Sequence, residues 1–163
     1  MIIPESAHVA QRAAGELVVS FWEYLPEIEA TDLVTVAGFL RRLHAVPVRQ
    51  DTQLGPLQPF FRVAERIDSA PTLTEADRRF LRARHGALLA QWEQARFEMA
   101  PVVVHGDAHH ENLVRCGDGR IVCLDLERVC VGQPEWDLTV TAVYYECGWH
   151  DATDYATFMK TYG

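Results

Sequence analysis

The run of apolar and polar positions changes period several times along the chain, and each change marks an element. Glu16–Pro26, ELVVSFWEYLP, is dense in β-branched and aromatic residues and stops at a proline, which predicts a buried strand running into an exit loop. Leu33, Val36, Ala37, Leu40 and Leu43 then recur at three- and four-residue steps, the pattern of an amphipathic helix with Thr31 as N-cap and Pro47 as stop. QDTQLGPLQP reads as a loop and FFRVAERI as a short helix. The stretch from Thr72 to Met99 carries Leu73, Ala76, Phe80, Leu81, Leu88 and Trp92 at mostly helical intervals, and Thr72 with Glu75 has capping-box spacing, so the longest helix is expected here.

Beyond Ala100 the texture turns to strands: PVVVHG, NLVR and RIVCLDL, the last two joined as a hairpin by the turn CGDG. LERVCVGQPE reads as a loop, after which helical spacing resumes at WDLTVTAVYYEC and DATDYATFMKTY. The expectation is an α+β fold, mostly helical, around a small central β-hairpin.

Composition narrows the class. With 163 residues, 48% of them hydrophobic and 23% charged, the chain has material for one domain with a real core. No stretch approaches the roughly 18 apolar residues of a membrane helix, and the N-terminus lacks the basic start and apolar middle of a signal peptide, so a cytoplasmic protein without a membrane partner is expected. Cys116, Cys123, Cys130 and Cys147 show no C-x-x-C spacing and read as reduced thiols. A net charge of −8 disfavours a general nucleic-acid binder and suits a cationic or neutral small substrate. Lys160 is the only lysine.

VVVHGDAHHENLV, residues 102–114, carries the candidate chemistry. Its apolar run should deliver His105-Gly106-Asp107 to the end of the core. Asn112 lies five residues beyond Asp107, and the hairpin returns the chain so that Asp125 can approach the same point. Phosphoryl transfer from a nucleotide asks for such a set: a carboxylate to orient and deprotonate the attacking hydroxyl, here Asp107, and hard oxygen ligands for magnesium, here Asn112 with Asp125. Two other readings compete. The segment would serve equally as a polar turn after a core strand. Alternatively, His109 and His110 beside carboxylates suggest a zinc hydrolase, although His8, His44, His85 and His150 offer no paired ligand spacing. His105 reads as a loop-orienting core residue, His44 as a packing or capping group, the four tryptophans as core or lobe-contact residues, and the arginines of RRFLRARH as a solvated helix face.

His105-Gly106-Asp107 followed by Asn112 resembles the H-G-D-x-x-x-x-N catalytic loop of the aminoglycoside phosphotransferase and choline kinase families, and CLDLERVCVGQPEWDL resembles their metal-binding segment. VVSFWEYLP and LRRLHAVPV resemble the hinge strand and the helix after it. The resemblance implies the C-terminal lobe of a protein-kinase-like fold over residues 31–163, truncated at its C-terminus, with residues 1–30 as the last N-lobe-type strand and hinge. It implies ATP and Mg2+ as cofactors, Asp107 as catalytic base, Asn112 and Asp125 as magnesium ligands with Glu127 assisting, and Asp137 as a structural acid holding the loop alongside His105. Adenine would meet the backbone of Glu23, Tyr24 and Leu25, with Trp22 beside it. The implied substrate is a small-molecule hydroxyl acceptor such as an amino sugar or amino alcohol.

Complete members of these families carry a phosphate loop and a lysine ahead of the hinge, a lysine that Lys160 cannot replace. A non-catalytic fragment or pseudokinase is therefore the alternative expectation. An uncovered hinge side predicts self-association, with strands around residues 16–25 pairing between chains.

Overall fold

The computed structural model describes residues 8–11, 18–21, 24–49 and 53–163. Strands β1 (His8–Gln11) and β2 (Val18–Phe21) pair antiparallel with His8 opposite Phe21, so part of the expected 16–26 strand is present as half of a ladder. Trp22 and Glu23 lie outside the described residues.

The central hairpin forms as its turn chemistry dictates: β5 (Leu113–Arg115) runs antiparallel to β6 (Ile121–Cys123), with Val114 opposite Val122. The short strand β3 (Glu29–Ala30) adds to its free edge, and the Thr31 hydroxyl donates to the Leu113 carbonyl at 2.7 Å. Thr31 is thereby committed to the sheet. The N-cap of α1 (Leu33–His44) is instead Asp32, whose carboxylate accepts from the Thr35 N–H at 2.7 Å.

Two departures from the sequence reading shape the site. Strand β4 (Val102–Val104) does not join the hairpin; it pairs antiparallel with β7 (Cys130–Gly132), inside the stretch expected to be a loop. Three residues give too few alternations for a periodicity to register, and β7 exists because partners flank it on both sides. On its other side the loop at Gly55–Leu57 supplies bonds in both directions, Leu57 N–H to Val131 O at 2.8 Å and Val131 N–H to Gly55 O at 2.9 Å. The fit is tight: a Cβ on Gly132 would stand 2.4 Å from that of Leu57.

The second departure is α3 (Glu75–Gln94), the longest helix, as expected, but without a buried residue; Phe80 is 68% exposed. Its N-cap is Thr74, accepting from Asp77 N–H at 3.2 Å, because Thr74 and Asp77 repeat the spacing of Thr72 and Glu75 two residues later. Nor is its arginine face merely solvated. Arg78 donates to the carbonyls of Ile67, Asp68 and Ala70 at the C-terminal end of α2 (Val63–Ser69), where helix carbonyls lack partners of their own.

The main core lies between α1 and α5 (Ala152–Tyr162). Val36, Ala37, Phe39 and Leu40 of α1 close on Phe158 of α5, with Ala108, Leu113 and Cys123 beneath, and Leu40 and Phe158 are wholly buried. Helix α4 (Glu135–Glu146) follows β7. Trp92 and Trp136 pack edge to face at 5.4 Å, as expected of lobe-contact residues, whereas Trp149 is 68% exposed. No helix among the described residues is long and apolar enough to cross a membrane.

Candidate functional site

Strand β4 ends at Val104, and the next two residues turn sharply. Gly106 has φ +87°, and a Cβ there would come within 2.6 Å of the Arg128 carbonyl, so only glycine can hold the turn. The turn is clamped from below by Asp137, in the first turn of α4 and completely buried. Its Oδ2 accepts from the His105 N–H at 2.7 Å and its Oδ1 from the Gly106 N–H at 2.8 Å. A third bond comes from α1, where His44 Nε2 lies 3.1 Å from Oδ2. A buried carboxylate is tolerated when donors surround it, and here each donor belongs to a different purpose: two fix the turn and one fixes the acid. From α4 the Trp136 indole N–H also donates to the Gly106 carbonyl at 3.1 Å.

His105 is buried, and its ring joins two strands. Nε2 lies 3.0 Å from the Leu124 carbonyl and Nδ1 3.3 Å from the Asp107 N–H. A carbonyl can only accept and an N–H can only donate, so Nε2 carries the proton and Nδ1 is the acceptor. His105 thus spans from Asp107 to the residue before Asp125.

Asp107 is half-buried, and Asn112 closes the loop behind it. The Asn112 amide Nδ2 donates to the Asp107 carbonyl at 3.0 Å, which fixes the orientation of the amide and leaves its Oδ1 outward of that bond. The Asn112 backbone carbonyl accepts from Leu124 N–H at 2.8 Å. Asp107 is therefore tied through its N–H and its carbonyl, and its carboxylate takes part in neither bond.

Asp125 is exposed and stands in the left-handed region, φ 55° and ψ 56°, where a non-glycine residue costs about 1–2 kcal/mol. The short 3-10 turn Leu126–Arg128 begins directly after it. Two carboxylates converge electrostatically nearby: burial first, then the charges of Asp137 and Asp125, push the Cys123 thiol up to about 12.

Asp107, Asn112 and Asp125 are thus joined through backbone and His105 into one framework. Of the hinge residues, Leu25 packs against the hairpin cluster of Val114, Cys116 and Val122, while the Tyr24 side chain is 85% exposed. Among the described residues no three His, Cys, Asp or Glu side chains are placed to hold a metal ion. His109 and His110 instead lie in ring contact with Tyr144, and His110 also with His150. The magnesium pair expected from the sequence is one amide and one carboxylate, an oxygen donor set of the kind that leaves the remaining positions of a hard cation to phosphate and water.

Sequence reading missed two members of the support. His44, read as a packing or capping residue, grips Asp137, and its Nδ1 meets the Tyr162 hydroxyl at 2.8 Å. Tyr162 is separated from His44 by 118 residues, and no local pattern marks the pair.

The model of the family "APH: Phosphotransferase enzyme family" matches residues 4–163. No curated protein matches the chain by sequence. Among solved structures, the choline kinase LicA from Streptococcus pneumoniae is 19% identical with a TM-score of 0.58, covering 88% of this chain and 51% of that one. A choline/ethanolamine kinase family protein from Mesorhizobium loti is 19% identical with a TM-score of 0.56, covering 98% and 55%. Spectinomycin phosphotransferase in complex with ADP and spectinomycin is 17% identical with a TM-score of 0.54, covering 90% and 52%. The chain spans about half the length of these proteins. It shares their kinase-like fold, and through the family model that takes in both the clamped turn and the hairpin, the chain belongs to the phosphotransferase enzyme family.

Proposed function

We propose that the chain is the catalytic lobe of an ATP- and Mg2+-dependent kinase that phosphorylates a hydroxyl group of a small molecule. The observation that carries this reading is the grip of Asp137 on the His105 and Gly106 N–H groups at 2.7 and 2.8 Å. The clamp satisfies two N–H groups of the turn that an apolar residue would leave unpaired, and so fixes the turn's conformation. It holds the turn that carries Asp107, whose carboxylate orients the acceptor hydroxyl and takes its proton as the new O–P bond forms and the bond from the γ-phosphorus to ADP breaks. Asn112 Oδ1 and Asp125 would hold magnesium, which when bound neutralises charge on the nucleotide phosphates. The backbone at Glu23, Tyr24 and Leu25 would receive adenine, with Trp22 beside it. That similar proteins were solved with AMP and with ADP supports nucleotide use.

The test is magnesium-dependent ATP turnover by the purified chain with hydroxyl-bearing acceptors. Because the Asp107 carboxylate makes neither of the loop's bonds, Asp107→Asn should lower turnover by roughly a hundred- to ten-thousand-fold while the melting temperature stays put. Equal turnover in that variant would remove Asp107 from the mechanism.

A second reading, a non-catalytic relative that binds nucleotide weakly or associates with a partner, is favoured by one observation. The sole lysine, Lys160, lies on α5, the helix packed against α1, and not ahead of the expected hinge. Magnesium-dependent ATP hydrolysis that disappears in Asp125→Ala would rule this reading out.

A further inference from the structure

Beside the Gly106 turn lies a cleft of about 240 Å³, lined in part by Glu127, the residue expected to assist at magnesium. Leu57 and Phe61 wall one side, Glu127, Arg128 and Cys130 the other, and Gly106 of the Asp107 loop closes it. The Leu57 side is built, because the loop bearing it is bonded to β7 through Val131. Phe61 is set between two left-handed residues, Phe60 at φ 56° and Arg62 at φ 57°, a backbone arrangement that presents a ring 47% exposed to solvent.

The Arg128 guanidinium carbon stands 5.8 Å from the centre of that ring. Arg62, Arg78, Arg82 and Arg120 each engage a carboxylate, whereas Arg128 rests on the Phe61 ring. The charge of Arg128 also falls on the neighbouring Cys130 thiol. Resting on an aromatic face engages the charge of a guanidinium and leaves its fork of N–H donors for a planar or tetrahedral oxyanion. Glu127 lines the same cleft and would oppose an anion.

We propose that this cleft is an oxyanion subsite in which Arg128 receives a carboxylate or phosphate carried by the acceptor, so that the acceptor is an anionic hydroxyl compound. The inference rests on the kinase reading of the neighbouring loop. It departs from the cationic or neutral substrate suggested by the net charge of −8, because a guanidinium in contact acts at hydrogen-bond range whereas the whole-chain field is screened over about 10 Å.

Three pyranoses with the same ring and different charge provide the probe: D-glucuronate, D-glucose and D-glucosamine, titrated calorimetrically into the 163-residue chain. Glucuronate should bind about tenfold more tightly than the other two, and Arg128→Gln should abolish that preference while ADP binding and melting temperature are retained. Arg128→Lys should restore only part of it, since a point charge lacks the fork. Glucose or glucosamine binding as tightly as glucuronate, or none of the three binding, would overturn the proposal. So would an Arg128→Gln variant that loses ADP affinity and keeps the glucuronate preference, which would assign Arg128 to the nucleotide phosphates. Binding is read without turnover, so Arg128-dependent glucuronate affinity in a chain that transfers no phosphoryl group would leave the subsite standing and sink the kinase reading alone.

Discussion

The Tyr162 hydroxyl meets His44 Nδ1 at 2.8 Å, and the opposite nitrogen of the same ring lies 3.1 Å from Asp137. The carboxylate can only accept, so His44 Nε2 carries a proton and donates to Asp137, while Nδ1 and the Tyr162 hydroxyl share the second bond. The C-terminal helix is thereby wired to the turn that holds Asp107 through one imidazole. Removing the hydroxyl in Tyr162→Phe should lower stability by about 0.5–1.5 kcal/mol, the usual net value of one hydrogen bond. Asp137→Asn should be worse, by about 1–3 kcal/mol, because an amide nitrogen would face an N–H donor that it cannot accept from. Thermal unfolding of both variants measures the order; a Tyr162→Phe loss larger than that of Asp137→Asn would contradict the network.

Gly106→Ala should be among the most damaging small substitutions in the chain. The added methyl would stand 2.6 Å from the Arg128 carbonyl in a residue held at φ +87°. The backbone region alone costs about 1–2 kcal/mol, before the clash is relieved by shifting the strand or the turn. Thermal unfolding should show the loss, and turnover should fall with it because Asp107 is the next residue; a variant as stable and active as the parent would mean that the turn is softer than the geometry indicates.

A buried thiol and a half-buried hydroxyl make the fold sensitive to alkali. The Cys123 thiol is pushed up to about 12 by burial, then by Asp137 and Asp125, and the Tyr162 hydroxyl is raised by burial, then by Glu135 and Asp137. For each, the folded state holds the proton more tightly than the unfolded chain. Their contribution is therefore intact below the unfolded values and falls as pH rises toward the folded ones. Above pH 9 for the thiol, stability should drop by up to about 1.4 kcal/mol per pH unit. Denaturant midpoints between pH 8 and 11 would record the slope, and Cys123→Ser should flatten it. At neutral pH the same thiol should resist iodoacetamide while the exposed Cys147 reacts.

Arg78→Ala should loosen α2 from α3 without touching the Asp107 loop, since the three carbonyls it serves belong to Ile67, Asp68 and Ala70. A loss of about 1–3 kcal/mol is expected, with Arg78→Lys restoring little because one ammonium cannot span the three acceptors. Melting curves together with ATP turnover separate this structural effect from any change in chemistry.

What the sequence made legible was local. The turn His105-Gly106-Asp107 needs glycine at one place, and the hairpin of residues 113–123 is specified by its own turn, so both could be read from a few adjacent residues. Strand β7 could not, because its ladder is made with β4 and with the loop at Gly55, both far away in sequence. The spacing of Thr72 and Glu75 pointed to a cap two residues ahead of the one that forms at Thr74. Trp149 and Phe80 show the opposite failure: large apolar residues at helical intervals or near helix ends that the fold leaves in solvent. The role of His44 depended on a tyrosine 118 residues downstream, beyond the reach of any periodicity.

Because Asp137 reaches back across 32 residues to the His105 amide, the chain from the turn through the hairpin and β7 to α4 closes on itself, and the β4–β7 ladder, the His105–Leu124 bond and the Trp136–Gly106 bond close the same loop alongside it. Fastenings that share one turn support one another, so freeing the two amides takes the loss of several bonds and not of one. The His105 and Gly106 amide protons should therefore exchange with deuterium only when the whole segment opens, and their exchange rate would report, amide by amide, the lifetime of the assembled site.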